Sequence, residues 1–363
     1  MLKFSINLLV YNGLKFLPQC AESVLNQSYK EYDFLIIDNN STDGSRDYLK
    51  ILQRSMPHIK IIFNETNAGF AAGHNQGIGK SDSEYILCLN QDIILDKDFL
   101  KNAVEILNKD GKIGALQPKL LRLKEIDNEL RKTDIIDTTG LIMFKNRRII
   151  NRGQGKNFSI FPPKADPAQW RDDFQFSEEI FGADGATPVY RRSALEDVKI
   201  PIFRAIPRDI RENQRLYEYF DEDFFIYKED VDLAWRMRLY GWKTVYAPDA
   251  IGWHARGAGD SAKTKYLDVI KERRKISQFS KYYSFKNQRL MQIKNEFPLL
   301  LFAHLLWWLP KEIASWFYVL IFEHYTIKAI KELITQIPKI LRKRKFIMKN
   351  KKISVKEMKK WFI

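Results

Sequence analysis

The hydrophobic positions of the N-terminal half fall into short unbroken runs, each closed by a cluster of polar or small residues. Ile6 to Val10, Phe34 to Ile37, Ile61 to Phe63 and Tyr85 to Leu89 are such runs, and their length and apolar character predict strands. Tyr11-Asn12-Gly13 forms a turn after the first, and a helix follows through Val24. In open α/β sheets ligands collect beyond the C-terminal ends of the strands. Asp38-Asn39-Asn40-Ser41-Thr42-Asp43-Gly44-Ser45 stands there after the second run, where Ser41 or Asp43 also suits a helix N-cap. NETNAGFAAGHNQGI follows the third run, with small residues around Asn67, His74 and Asn75 that permit close backbone approach to a ligand. Asn90-Gln91-Asp92 ends the fourth.

A different pattern occupies Phe220 to His254. The acids Asp221, Glu222, Asp223, Glu229 and Asp230 precede an amphipathic run, Val231 to Leu239, which stops at Gly241, a natural helix C-cap. Glu229 and Asp230 therefore belong to the first helical turn, where free N–H groups favour negative charge. A short strand from Thr244 to Tyr246, a Pro-Asp turn and then His254 in IGWHARG complete the segment. A carboxylate at a helix start and a histidine beyond a strand suit a base and a metal ligand; capping acids account for the same spacing. Asp232 and Arg236, four apart on one helix face, read as a structural pair.

Taken in order, VYN, IIDNNSTDGS, NAGFAAGHNQGI, LNQD, FDEDFF-YKEDVDLAWR and the late WH resemble glycosyltransferase family 2, over roughly residues 4 to 290. The resemblance is narrower to the rhamnosyltransferase-like branch that extends lipid-linked bacterial surface polysaccharides. It implies the GT-A fold, a Rossmann-like, mostly parallel α/β sheet holding a nucleotide-sugar and a divalent metal, Mg²⁺ or Mn²⁺. It places Tyr11 and Asp38 at the nucleoside, Asp38 bonding the base, and Asn67, His74 and Asn75 in a loop over ribose and diphosphate. Asn40 and Gln91 join this nucleotide-sugar set. Asp92 matches the last acid of the family's DXD motif and would bind the metal, although Asn90 replaces the first acid with an amide. Asp230 matches the base of the catalytic Glu229–Asp230 pair, and His254 matches a metal-ligating histidine of some members. In GADGATPVYRRSALEDV (Gly182 to Val198), Asp184 and Gly185 are expected beside the donor sugar and acceptor. The longer segment Phe203 to Tyr219 reads either as an acceptor-side lid or as a surface insertion.

Composition changes the picture mainly at the C-terminal end. The net charge of +15 is unevenly spread, since residues 260 to 363 hold 24 Lys+Arg against 8 Asp+Glu. The remaining 36 Lys+Arg and 37 Asp+Glu leave residues 1 to 259 near neutral. The chain thus reads as a catalytic domain over 1–259, with a donor half to about 120 and an acceptor half from about 121, and a basic helical tail over 260–363 after the small-residue linker Gly257 to Ala262. Two apolar stretches in the tail, Leu299 to Leu309 and Ile313 to Phe322, flank Pro310-Lys311-Glu312. Each is about half the ~20 residues that span a bilayer. Their Trp and Tyr side chains favour the membrane interface, and KILRKRKF and KNKK would meet an anionic membrane surface. An in-plane anchor is expected over a spanning hairpin; a helical subdomain packed on the core or on a second subunit is the alternative.

Cys20 and Cys88, the two cysteines, fall in predicted core elements and imply no disulfide framework. Strand one begins almost at once, without a signal-peptide pattern. The expectation is an inverting, metal-dependent transferase at the cytoplasmic face of the cell membrane. It would move a sugar from a nucleotide-sugar donor, dTDP-rhamnose or a UDP-sugar, to a lipid-linked saccharide acceptor. A catalytically silent nucleotide-sugar-binding scaffold is the alternative. Nucleic acid is not an expected partner, because the basic charge lies in an aromatic-rich tail.

Overall fold

The computed structural model describes residues 3–127, 129–158, 174–203, 216–256 and 266–363. Strand β1 (Phe4–Val10) leads through α1 (Leu17–Leu25) to β2 (Tyr32–Asp38), α2 (Ser45–Ser55), β3 (Lys60–Phe63), α3 (Gly69–Ile78), β4 (Tyr85–Asn90), β5 (Ile93–Leu95) and α4 (Phe99–Leu107). Then come β6 (Ile113–Ile126), β7 (Glu129–Thr138), β8 (Leu141–Met143), β9 (Ile149–Asn151), β10 (Glu178–Ile180), β11 (Val189–Arg191) and α5 (Arg192–Val198). The small strands β12 (Ile200–Pro201) and β13 (Tyr217–Glu218) precede α6 (Glu229–Leu239) and β14 (Lys243–His254). Six helices close the chain: α7 (Tyr266–Lys275), α8 (Gln278–Asn295), α9 (Pro298–Ala303), α10 (Leu305–Phe322), α11 (Ile327–Asn350) and α12 (Val355–Lys359).

The main sheet runs β10-β14-β6-β11-β4-β1-β2-β3, with β5 beside β14 and β7 beside β6. Its first half is parallel, and β11 enters antiparallel between β4 and β6. Strands covered on both faces must be apolar throughout, and β1, FSINLLV, is buried along nearly its whole length. In register, Val10 pairs with Asp38, Asp38 with Phe63 and Leu9 with Asn90, so the polar clusters emerge side by side along one sheet edge. The glycines of NAGFAAGHNQGI serve packing. A Cβ on Gly73 would meet Leu9 of β1 at 2.4 Å, and one on Gly77 would meet Asn7 at 2.8 Å. They let α3 lie directly on β1.

Residues 243 to 254 form one strand where a short strand and a turn are expected. Pro248 and Asp249 sit in a register shift between Ala247 and Ile251, so β14 stays paired with β6 on both sides of it. The shift spares β14 an interior ladder bond at a residue that has no N–H to donate. Gly241, with φ +82°, ends α6 as its position suggests.

The C-terminal segment divides in two. Helices α8, α11 and α12 share a core with the sheet domain, in which Leu290, Met291, Ile340, Ile347 and Met358 pack with Leu233 and Trp235 of α6. The last residue is stitched to the strand-end loop of β8, Ile363 N–H donating to Met143 O at 3.1 Å and Lys145 N–H to Ile363 O at 2.9 Å. These helices thus pack on the core, as in the alternative reading of the basic tail; the linker Gly257 to Ala262 and residues 204–215 of the long segment lie outside the described residues. Pro310 does not separate two helices but lies inside α10, and the break falls at His304 between α9 and α10. At the sixth residue of α10, proline removes one ladder bond near the helix start, a smaller loss than in a long interior.

Buried charge is also matched across this interface. Lys343 of α11 donates to Glu218 at 2.6 Å, Asp221 at 2.5 Å and Asp223 at 2.7 Å. Lys294 of α8 contacts Asp221 and lies 2.9 Å from Asp232, which also pairs with Arg236 at 3.0 Å and accepts from Asn295 at 2.7 Å. Asp221, Asp232, Arg236, Lys294 and Lys343 are all fully buried. Burial alone would raise Asp221; Lys294 and Lys343 reverse this and hold it well below the usual carboxylate range. Glu218, desolvated and beside Asp221, is pushed up to about 7 despite Lys343.

Removing one partner of a buried pair costs about 3–5 kcal/mol. Lys343→Met is therefore expected to destabilise by that amount in urea unfolding, whereas Lys349→Met, on the exposed side of α11, should stay within about 0.5 kcal/mol of wild type. Equal losses for the two variants would show that the network does not hold α11 in place.

Candidate active site

The loop after β1 is laced to its neighbours. Tyr11 N–H donates to Gln91 Oε1 at 2.8 Å, and Gln91 Nε2 returns a bond to Tyr11 O at 2.9 Å. Asn12 N–H donates to Ser41 Oγ at 2.9 Å, Gly13 N–H to Ser45 Oγ at 3.1 Å and Leu14 N–H to Asp43 Oδ2 at 2.9 Å. Gln91 thus clamps the backbone of the Tyr11 loop. Helix α2 is entered through left-handed Gly44 (φ +95°) in the N-cap position, and the Asp43 carboxylate before it accepts from Ser45 N–H at 3.1 Å. Tyr11 remains exposed beside half-buried Asn40, which takes a left-handed φ of +66°.

Three residues expected at the nucleotide are engaged or enclosed within the protein. Asp38 is fully buried, and its carboxylate accepts from Arg46 Nε at 2.5 Å and from Ser41 N–H at 3.2 Å. The group offered to a nucleobase is enclosed, its charge matched by Arg46. His74 is buried with neither ring nitrogen hydrogen-bonded, and it packs 4.5 Å from Phe70. Burial lowers its pKa to about 3, so it is a neutral core ring. Asn75 points away from the sheet edge, donating to Phe220 O at 2.7 Å and Glu222 Oε1 at 3.0 Å and accepting from Phe220 N–H at 2.8 Å. Both follow from helical period: with Gly73 and Gly77 against β1, residues 74 and 75 turn toward the Phe220 segment. Asn67, at the junction itself, is half-buried and accepts from Gly69 N–H at 2.9 Å.

The antiparallel pairing of β14 with β5 sets His254 opposite Ile93, and so brings it to Asp92. His254 Nε2 lies 3.3 Å from Asp92 Oδ2, while Nδ1 lies 2.8 Å from buried Asp137, whose other oxygen accepts from Arg256 at 3.0 Å. Burial disfavours the imidazolium, but the Asp92 charge and the hydrogen bonds to Asp137 and Asp92 outweigh it and lift His254 to about 10. Burial would raise Asp137, and His254 with Arg256 holds it below its usual range. Asp137 fixes the ring so that Nε2 faces Asp92, the arrangement by which a carboxylate orients a metal-binding histidine. Asp137 and Arg256 were not among the expected residues. The signal for Asp137 was available, for like Asp38 it is an acid ending an apolar run, Ile135-Ile136.

Among the described residues, no group of three or more His, Cys, Asp or Glu side chains is arranged to hold a metal ion. Asp92 and His254 nonetheless fit two positions of one. Their separation of 3.3 Å is close to the edge of an octahedron with ligands at about 2.1 Å, roughly 3 Å. The carboxylate oxygen suits Mg²⁺ or Mn²⁺, and the imidazole nitrogen favours the transition metal Mn²⁺ of the two.

The second pole is the first turn of α6. Lys228 precedes it in a left-handed conformation (φ +75°). Asp230 Oδ2 accepts from Gly185 N–H at 3.1 Å, and Oδ1 from Val231 N–H at 2.8 Å. A Cβ on Gly185 would stand 3.2 Å from the Asp230 Cβ, so glycine permits this approach. Asp184 N–H donates to Gln117 Oε1 at 2.7 Å, and its carboxylate accepts from Ala186 N–H at 3.0 Å. Asn90 N–H donates to Ala186 O at 3.0 Å, which ties this loop to the strand end that carries Asp92. Burial and Asp184 raise Asp230 to about 6, Lys228 and the two backbone amides opposing them. Glu229, buried with Oε2 unpartnered, is raised well above the usual range by burial and by Asp230. The adjacent acids thus differ in surroundings, Glu229 enclosed with Oε2 unpartnered and Asp230 held by two backbone amides.

Comparison with known proteins gives the family and the fold. The sequence pattern of the family described as Glycosyl transferase family 2 matches residues 5–198. The poly-beta-1,6-N-acetyl-D-glucosamine synthase of Staphylococcus epidermidis is 24% identical over 249 residues, 69% of this chain and 49% of that protein. The putative teichuronic acid biosynthesis glycosyltransferase TuaG of Bacillus subtilis is 30% identical over 97 residues, 27% of this chain and 38% of its own length. The chain thus spans about half or less of these relatives. GalNAc-T7, solved with UDP, GalNAc and Mn²⁺, shares the fold with a TM-score of 0.53 and 13% identity, over 80% of this chain and 51% of that one. The fold is GT-A, a mixed, mostly parallel α/β sheet followed here by a C-terminal helical region.

In cation-free protein His254 is expected to remain an imidazolium through neutral pH and to titrate near 10, with Asp137→Asn lowering that value. Ring-nitrogen NMR follows both directly. Wild-type titration at the free-imidazole value of about 6.5 would refute the paired geometry.

Proposed function

The chain belongs to glycosyl transferase family 2, and from that premise we propose that it transfers a sugar from a nucleotide-sugar to a saccharide hydroxyl with inversion, in the synthesis of a cell-surface polysaccharide. The observation that carries the proposal is the loop Asp184–Ala186. It holds the raised carboxylate of Asp230 by one amide and the Asp92-bearing strand end by the next carbonyl. A base and a leaving-group pole are thereby built on one rigid frame. The relatives named for polysaccharide products support the setting.

In the proposed reaction the donor lies along the ends of β1, β2 and β4, beside Tyr11 and Asn40. Asp92 and His254 would hold a divalent cation, which when bound neutralises charge on the departing diphosphate. Asp230, ionised above about pH 6, accepts the proton of the acceptor hydroxyl as its oxygen bonds the anomeric carbon and the carbon–phosphate-oxygen bond breaks. The Gly185 amide keeps Asp230 in place. Direct displacement inverts the anomeric centre. The relative named for N-acetylglucosamine favours a UDP-N-acetylhexosamine donor; the likeness to rhamnosyltransferases makes dTDP-rhamnose the second to test. A lipid-linked saccharide is the proposed acceptor.

Two measurements test this. Thermal-shift titrations with Mn²⁺ or Mg²⁺ should show protection by UDP or dTDP and their sugars, and chelation by EDTA should remove the transfer activity. Protection by no nucleotide-sugar, with or without cation, would reject the donor reading. For the base, kcat/KM should fall on the acid side with an apparent pKa near 6. Asp230→Asn should lower turnover by at least ~10²-fold while keeping the nucleotide shift. An acid limb near 4 together with near-wild-type turnover of the variant would remove Asp230 from the role.

A further inference from the structure

Helix α10 is built with its polarity reversed. Toward the protein it turns Glu312, which pairs with Arg289 of α8 at 2.6 Å and accepts from Trp316 Nε1 at 3.1 Å, each ion of the pair nearly buried. Trp316 packs edge-on to Phe285 at 5.2 Å, and Val319 is 1% exposed. Toward the outside it turns Leu306 (83% exposed), Ile313, Phe317 (63%) and Leu320, at helical spacing along one face. Leu299 and Phe302 of α9 are equally bare, at 70% and 77%. Helix α11 continues the surface with a seven-residue stripe, Ile327, Ile334 and Leu341, each about half exposed. A water-facing helix carries its charges outward and its leucines inward; this one does the opposite, over a patch larger than scattered exposed residues make.

The charges beside the patch identify its partner. Lys328, Lys331, Arg342 and Lys345 are exposed on α11 around the stripe, and Lys145 stands 5.5 Å from the ring of Trp307. An apolar face rimmed by cations and marked by an interfacial tryptophan matches acyl chains bordered by anionic headgroups. It does not match a second copy of the same face, which would bring like charges together. We propose that α9, α10 and the outer stripe of α11 form a docking face for an anionic lipid bilayer, with α10 lying in the membrane plane. By length and composition alone, α10 could cross a membrane, having 18 residues with a mean hydropathy of 1.2. Its anchorage lengthwise along α8, through Glu312, Trp316 and Val319, holds it parallel to the protein surface.

This proposal is independent of sugar transfer and is tested without it. Full-length protein is floated with vesicles of neutral lipid, and with vesicles containing about one third anionic lipid. Wild type should float with the anionic vesicles, less at high salt but not to zero, since the apolar contribution is unscreened. Phe317→Glu with Leu320→Glu should cut the bound fraction by about tenfold or more, with the protein's melting temperature and nucleotide response unchanged. Lys328→Glu with Lys331→Glu should remove the preference for anionic over neutral vesicles. Wild type that stays off anionic vesicles at low salt overturns the proposal. So does a concentration-dependent dimer that the Phe317 and Leu320 substitutions dissolve without any vesicle binding, which would give the face to a second copy of the chain.

Discussion

The acidic turn that leads into α6, and with it the start of the helix that carries Asp230, rests on the buried exchange of charge between the acids of residues 218 to 232 and two lysines of the C-terminal helices. Glu218, Asp221, Asp223 and Asp232 sit directly before and within α6. Four carboxylates brought so close would repel one another and could not be desolvated unaided. Lys294 and Lys343 make that burial possible, and the loop from Phe220 to Lys228 can then turn tightly enough to start α6 at Glu229. The lopsided charge of the chain follows from the same constraint. Part of the basic surplus of residues 260 to 363 is internal complement to the acidic segment.

With that frame in place, the two chemical poles are positioned by backbone. Asp92 lies at the end of β4, and His254 reaches it because β14 runs unbroken past Pro248 to pair with β5. Asp230 is tied to the same strand end through Gly185 and Ala186. Neither pole stands on a long free loop, which suits groups that must hold geometry to fractions of an ångström.

Legibility in the sequence followed the range of the physics involved. Strands β1 to β4, and the clusters at their ends, could be read because apolar runs and polar ends are local patterns. The Asp232–Arg236 pair and the Gly241 stop were legible for the same reason. His74 and Asn75 were misplaced because a glycine-rich segment looks alike whether it approaches a ligand or a neighbouring strand; only the contacts of Gly73 and Gly77 with β1 separate the two. Asp38 ends its strand as expected, but its pairing could not be foreseen because Arg46, eight residues on, has no signature that distinguishes a partner from a surface charge. The role of Lys294 and Lys343 was invisible, since lysines in a basic helix read as solvated until the acids they meet are known.

One consequence concerns the order in which the molecule can be made. Lys343 pairs with Asp221 across 122 residues and Lys294 across 73, and the last residue reaches back to Met143 and Lys145. On the ribosome the parallel half of the sheet emerges with its own core and can collapse early. The acidic turn and the start of α6 must wait, hydrated, until α8 and α11 have been synthesised. A chain paused or cut before α11 holds a formed nucleotide-side scaffold whose catalytic turn lacks its counter-charges, and contacts of such long range are also slow to form. Translation to the far end of α11 is thus the step that licenses assembly of the site.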